Sequence, residues 1–268
     1  MAGHDGADRL DLFDAARARG RLSTQRARPH ADHAARRMRD LLRAGIVRNG
    51  TVGGRLPSEQ ELMSEYGASR ATVRQALGLL RDEGLVTRLH GRGTRVLDLP
   101  ALMSLREYHG VEDPAVADML GGPIRSTVLE ERMVPAPAEL ASLLGRTAGE
   151  QVLCVDYIAS VAERPFAVAT DYVRRPQAQA VAEVPFRSDW FVRLADAGLV
   201  VADTECLFEA ALADAHDADL LGLRPGDPVM VAEQVVRDHA GEIFNVALVR
   251  SAGRRMTLHA RLRRDPAD

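Results

Sequence analysis

The sequence predicts an α+β chain in two unequal parts: three helices closed by a β-hairpin, then a longer, mainly antiparallel sheet domain. Three observations carry that expectation. Apolar residues recur with a helical period between His33 and Glu83, punctuated by capping residues and glycines. Runs of alternating hydrophobicity dominate from Ser126 to Ser251. Charge divides at the same place. Residues 1–98 carry 18 Arg and 12 acidic residues, a net of +6, whereas residues 99–268 carry 17 and 26, a net of −9. A basic front ahead of an acidic back points to a polyanionic partner for the front alone.

Composition narrows the classes. No segment approaches the ~20 apolar residues of a membrane span, and the N-terminus lacks an apolar signal core, so no membrane partner and a cytoplasmic location are expected. Cys154 and Cys206 sit far apart in apolar runs, which argues against a disulfide framework or a metal site. His30 and His33 lack a further ligand set. No nucleophile–base or carboxylate pair is recognisable, so neither catalysis nor a cofactor is expected.

Residues 1–30 have no clean period and are expected to form a mobile tail. A first helix is expected over His33–Val47, with Ala34, Met38, Leu41 and Leu42 on one face. Asn49-Gly50 and Gly53-Gly54 then break the chain. Ser58 stands three residues before Glu61, a capping box that starts a helix over Glu59–Tyr66. Ser69 caps a third helix over Arg70–Glu83, buried through Val73, Ala76, Leu77 and Leu80 and stopped by Gly84. Two β-prone arms flank His90-Gly91-Arg92-Gly93. Three helices and a hairpin make a winged helix-turn-helix, placed at 31–98, with a linker at 99–110 and a second domain at 111–268.

In the second domain, strands are expected at Ser126–Val134, Gln151–Val161, Pro165–Val173, Thr204–Ala211, Val229–Arg237 and Ile243–Ser251. Helices are expected at Pro137–Leu144, Ser188–Ala197 and Ala215–Leu221. No internal repeat is evident.

The third helix carries the strongest functional signal. Opposite its buried stripe lie Ala71, Gly78, Gln75 and Arg74, flanked by Arg70 and Arg81. A face meant only for water would gain helix propensity from Glu or Lys at its centre. Small residues there let the helix sink into a groove, with Arg beside them to pair with guanine and Gln with adenine. The competing reading is a solvated or internally ion-paired set of arginines.

The stretch GRLPSEQELMSEYGASRATVRQALGLLRDEGLVTRLHGRGTRV resembles the DNA-binding domain of the GntR family of bacterial transcription regulators. The resemblance implies that Arg70 and Arg74 read guanines. It also implies that Ser58, Ser69 and Thr72 bind phosphates, and that His90, Gly91 and Arg92 are wing contacts. Gln60 stands where many members carry an arginine that also touches a base.

The C-terminal part resembles the UTRA effector domain of the HutC branch. This implies a chorismate-lyase-like fold, a small-molecule pocket beside the sheet and a homodimer. Members that bind amino-sugar phosphates clamp them with two arginines and two glutamates. Here those positions are Tyr157, Ala159, Ala169 and Asn245, so a sugar phosphate is not expected. Polar candidates for effector binding are Asp156, Tyr157, Asp171, Tyr172, Glu233, Asn245 and Arg250. Trp190-Phe191 packs in the core or lines the pocket.

Together these features predict a ligand-responsive regulator, a repressor released from a double-stranded, palindromic operator by a small molecule. Two alternatives stand: a constitutive DNA-binding dimer with a non-sensing back half, and a lyase-like enzyme with a helical docking head.

Overall fold

A computed structural model describes residues 29–49, 52–105, 123–186 and 188–260. Residues 1–28 of the expected tail lie outside them.

Helix α1 runs from Pro29 to Asn49, four residues earlier and two later than its periodic core suggests. Its buried stripe is Ala35, Met38, Leu42 and Ile46, while Leu41 is 59% exposed. The expected face was thus rotated by about one residue. Leu41 competes with Leu42 for the same turn, and Ile46, further along, decides the phase. Helices α2 (Glu59–Tyr66) and α3 (Arg70–Asp82) start where their caps require. Ser58 Oγ accepts the Glu61 amide at 3.2 Å, and Glu61 accepts the Ser58 amide at 2.6 Å. Gly67 closes α2 in the left-handed region at φ 57°, where a side chain would be strained. Strands β1 (Val86–Leu89) and β2 (Gly93–Val96) pair antiparallel and form the wing. The three helices and the base of the wing enclose one core around Leu62, Val73, Ala76 and Leu80.

The second domain is a six-stranded antiparallel sheet. Its strands are β4 (Ile124–Pro135), β5 (Gln151–Val161), β6 (Arg164–Val173), β7 (Asp203–Leu212), β8 (Pro228–Arg237) and β9 (Ile243–Ala252). They lie in the order β4-β5-β6-β9-β8-β7. Helix α4 (Ala138–Leu143) links β4 to β5, and α7 (Ala215–Leu221) links β7 to β8. Both cover one face of the sheet. Helices α5 (Gln177–Ala182) and α6 (Trp190–Asp196) cover the other, over the main core.

This arrangement is an internal duplication. Each half is a strand, a short helix and a hairpin, and the halves meet at β6 and β9. The segment AELASLLGRTAGEQVL (138–153) matches AHDADLLGLRPGDPVM (215–230) at Ala141/Ala218, Leu144/Leu221, Gly145/Gly222, Gly149/Gly226 and Val152/Val229. The hydrogen bonds repeat as well. The Ala136 amide donates to Glu150 O at 2.8 Å, as Ala213 does to Asp227 O at 2.8 Å. Likewise the Thr147 amide donates to the Glu150 carboxylate at 2.8 Å, and the Arg224 amide to that of Asp227 at 3.0 Å. The expectation of no repeat is therefore corrected.

The two hairpins differ. Asp238–Glu242 closes one, whereas a two-residue turn closes the other between Val161 and Arg164. Ala162 and Glu163 occupy it with φ of 49° and 61°. Such a turn favours Asn-Gly. Glu163→Gly is therefore expected to stabilise the chain by about 0.5–1 kcal/mol in denaturant unfolding, by removing a left-handed non-glycine residue. The Arg125–Glu163 contact it gives up is long, 3.9 Å, and exposed, so little is lost with it.

Within the segment expected as a linker, Ala101–Ser104 forms strand β3. It pairs in parallel with β10 (Met256–His259), with Met256 opposite Ala101. Met103 and Met256 pack on the main core. The chain entering this domain is thus laid beside the chain leaving it.

Candidate nucleic-acid interface and effector cavity

The outward face of α3 follows from its inward one. Val73, Ala76, Leu77 and Leu80 are buried, which forces Arg70, Ala71, Arg74 and Gln75 into solvent. Ser69 Oγ accepts the Thr72 amide at 3.2 Å and lies 2.9 Å from Thr72 Oγ1. Both hydroxyls thereby sit at the positive end of the helix, where a phosphate is stabilised. Neither Arg70 nor Arg74 has an ion-pair partner among the described residues, so the internally paired reading loses its support.

A groove beside α3 is lined by Glu59, Arg74, Leu77, Arg81, Arg88 and Thr94. Arg81 is exposed, without an ion pair among the described residues. Glu83 holds Arg39 at 3.0 Å and Arg43 at 3.4 Å, which ties α1 to the end of α3. Arg88 was not singled out, and it reaches Glu59 at 3.6 Å. His90, Gly91 and Arg92 form the exposed tip of the wing. Gly91 and Gly93 adopt φ of 72° and 81°, and their missing side chains let a backbone approach the tip. Ser58 is half-buried in its capping box and Gln60 is exposed one residue into α2.

The effector candidates divide between the two faces of the sheet. Tyr157, Asp171 and Asn245 lie on the face under α6 and form one network. The Tyr157 hydroxyl donates to Asp171 at 3.1 Å, and Asn245 Nδ2 donates to its other oxygen at 2.8 Å. The Trp190 indole donates to Asn245 Oδ1 at 3.1 Å. Asp171 and Asn245 are fully buried. Burial pushes the Asp171 carboxyl up to about 7, against the opposing pull of its Asn245 and Tyr157 hydrogen bonds. The remaining four candidates point to the opposite face. Asp156 accepts a 2.5 Å hydrogen bond from Thr170, and Arg250 pairs with Asp217 at 3.3 Å. Tyr172 packs beneath α4, and Glu233 lies in register with Leu207 and Leu248. The structure does not bring these four together with the other three.

Above the network lies a cavity of about 60 Å³, bounded by Tyr157, Trp190 and Phe191. Tyr157 stacks on Trp190 at 5.9 Å, and Phe186 meets both rings edge-on. Trp190 therefore packs in the core and walls the cavity at once. Ser126, Asp189, Gln234 and Ser251 supply its polar wall, and sequence reasoning named none of them. Asp189 caps α6 through the Phe191 amide at 2.8 Å. That cap was the one legible signal. Behind the aromatic wall, Arg193 forms a bidentate pair with Glu131 at 3.0 and 2.8 Å. No His, Cys, Asp and Glu cluster able to hold a metal occurs among the described residues. Burial raises the Cys154 thiol to about 11, which leaves it unreactive. No helix among the described residues is long and apolar enough to cross a membrane.

A winged helix with an open reading helix, joined to a sheet domain with a cavity beside its sheet, defines a DNA-binding regulator with a separate effector domain. The profile of the bacterial regulatory proteins of the gntR family matches residues 30–96, and that of the UTRA domain matches residues 120–257. The chain belongs to the GntR family, in its HutC branch, and is a transcriptional regulator rather than an enzyme. It is 31% identical to the HTH-type transcriptional regulator Rv0792c of Mycobacterium tuberculosis, over 80% of each chain. It is 28% identical to the HTH-type transcriptional repressor NagR of Bacillus subtilis, over 72% of this chain and 79% of that one. Its fold matches PhnF from Mycobacterium smegmatis with a TM-score of 0.61 at 23% identity, covering 85% of this chain and all of the other.

Proposed function

We propose that this chain is a homodimeric repressor whose two winged heads read the halves of a palindromic operator, and that a small molecule in the cavity under α6 releases it. The observation that carries this reading is the outer face of α3. Arg70 and Arg74 flank Ala71 and Gly78 with no ion pair of their own among the described residues. Two such helices related by a two-fold axis fit successive turns of a major groove. Ser58, Ser69 and Thr72 then position the heads on phosphates, while His90, Gly91 and Arg92 extend contact along the backbone. Gln60 and Gln75 add readout beside the arginines.

Release follows from a population shift. A ligand that binds better to dimers whose heads mismatch the half-site spacing draws the population away from DNA. Among the described residues no cationic side chain lines the cavity, which supports an effector other than a sugar phosphate. Footprinting purified protein upstream of its own and neighbouring genes tests the reading. A protected two-fold symmetric site is expected, and no protection at any such site refutes it.

A further inference from the structure

We propose that the cavity under α6 takes a small protonated aliphatic amine, with its ammonium at Asp189 and Ser126 and its alkyl body against Trp190 and Phe191. This rests on the reading of the cavity as the effector site and goes further by naming the chemistry it accepts.

The argument is a charge and hydrogen-bond inventory of the wall. Among the described residues, Asp189 is the one carboxylate lining the cavity, and no Arg or His joins it there. Behind the wall, the Arg193 guanidinium is already held by both oxygens of Glu131. An anionic ligand would therefore meet a carboxylate held only by the α6 backbone amides and by no described cation, at a cost that grows as water is excluded. A cation would find the carboxylate beside the apolar wall of Trp190 and Phe191.

Ser126 Oγ is the second observation. It is buried on this wall with no hydrogen-bond partner among the described residues. A buried hydroxyl left unpaired costs free energy, and an ammonium N–H supplies the missing donor. Burial also holds the Asp189 carboxyl above its ordinary range, which an adjacent cation would reverse. Size sets the rest. A cavity of about 60 Å³ has room for about four to six water-sized centres, which suits an amine of about five heavy atoms.

The test uses the full chain and three probes of one shape: n-butylammonium, 1-butanol and butyrate, by calorimetric titration and thermal shift. Butylammonium is expected to bind saturably and raise the unfolding temperature. Butanol should bind at least tenfold more weakly, and butyrate not at all. Asp189→Asn keeps a helix cap, because Asn caps as well as Asp, so it isolates the charge. This variant should lose at least tenfold in butylammonium affinity and none in butanol affinity. Ser126→Ala should lose affinity for butylammonium more than for 1-butanol. Equal binding of butanol, preferential binding of butyrate, silence from all three probes, or an Asp189→Asn variant with unchanged amine affinity each overturns the proposal. Operator footprinting without ligand separates this failure from that of the regulator reading: a protein that protects DNA but ignores the amine sinks the amine alone.

Discussion

Replacing Arg74 with Ala is expected to weaken operator binding by about 1–3 kcal/mol, roughly 5–150-fold, concentrated at one base pair of each half-site. The position dictates this. Arg74 lies one turn beyond the capped start of α3, in solvent, beside Leu77 and opposite the buried Val73. Its charge is unspent within the described residues, so a guanine edge gains the full bidentate contact. Two measurements decide it together. Competition against base-substituted operators should show discrimination lost at one position and retained elsewhere. On random DNA, affinity should fall only modestly, with the salt slope reduced by about one. Equal losses on operator and random DNA would make Arg74 a phosphate contact. Ser69→Ala provides the contrast, because a phosphate and cap contact should weaken all sequences alike.

The second large effect concerns pH. Asp171 titrates at about 7 in the folded chain, against 3.8 as the ordinary value, because burial disfavours its charged form. Between these values the folded chain holds a proton that the unfolded chain has released. The stabilisation is therefore complete below the unfolded value and is lost as pH rises through about 7. Across that window this group should lower unfolding free energy by at most about 1.4 kcal/mol per pH unit. Asp171→Asn keeps the shape and removes the titration, with its oxygen accepting from Asn245 and its amide nitrogen donating to the Tyr157 hydroxyl in place of the bond that hydroxyl now donates. Its stability should be nearly level where the parent declines, and it should exceed the parent at pH 8. Denaturant midpoints at pH 5, 6, 7 and 8 read this directly. A parent with the same slope as the variant would assign the titration elsewhere.

The head was legible because its signals are local. A capping box, a second serine cap and two glycine stops, all between Ser58 and Gly84, mark both ends of α2 and α3. Once the ends are set, the buried and exposed faces of α3 follow. The effector side was less legible for a reason contained in the candidates themselves. Asp156 and Tyr157 are neighbours on β5, as Asp171 and Tyr172 are on β6, and neighbours on a strand point to opposite faces. One of each pair had to leave the site, and the sequence does not say which face α6 will cover. The cavity's polar wall escaped because Ser126, Gln234 and Ser251 are ordinary residues on three different strands. The duplication was hidden by unequal hairpins, two residues against five, which throw the later strands out of step. Strands β3 and β10 are four residues each, too short for a period, and exist only through each other.

That last pairing has a consequence for how the head is tethered. Because β3 and β10 run in the same direction with Met256 opposite Ala101, the chain arriving from the wing and the chain arriving from β9 enter the clasp at the same end. Residues 97–100 alone separate the wing from that point. The head is thus moored by a short span to the strand that the sheet's last arm delivers.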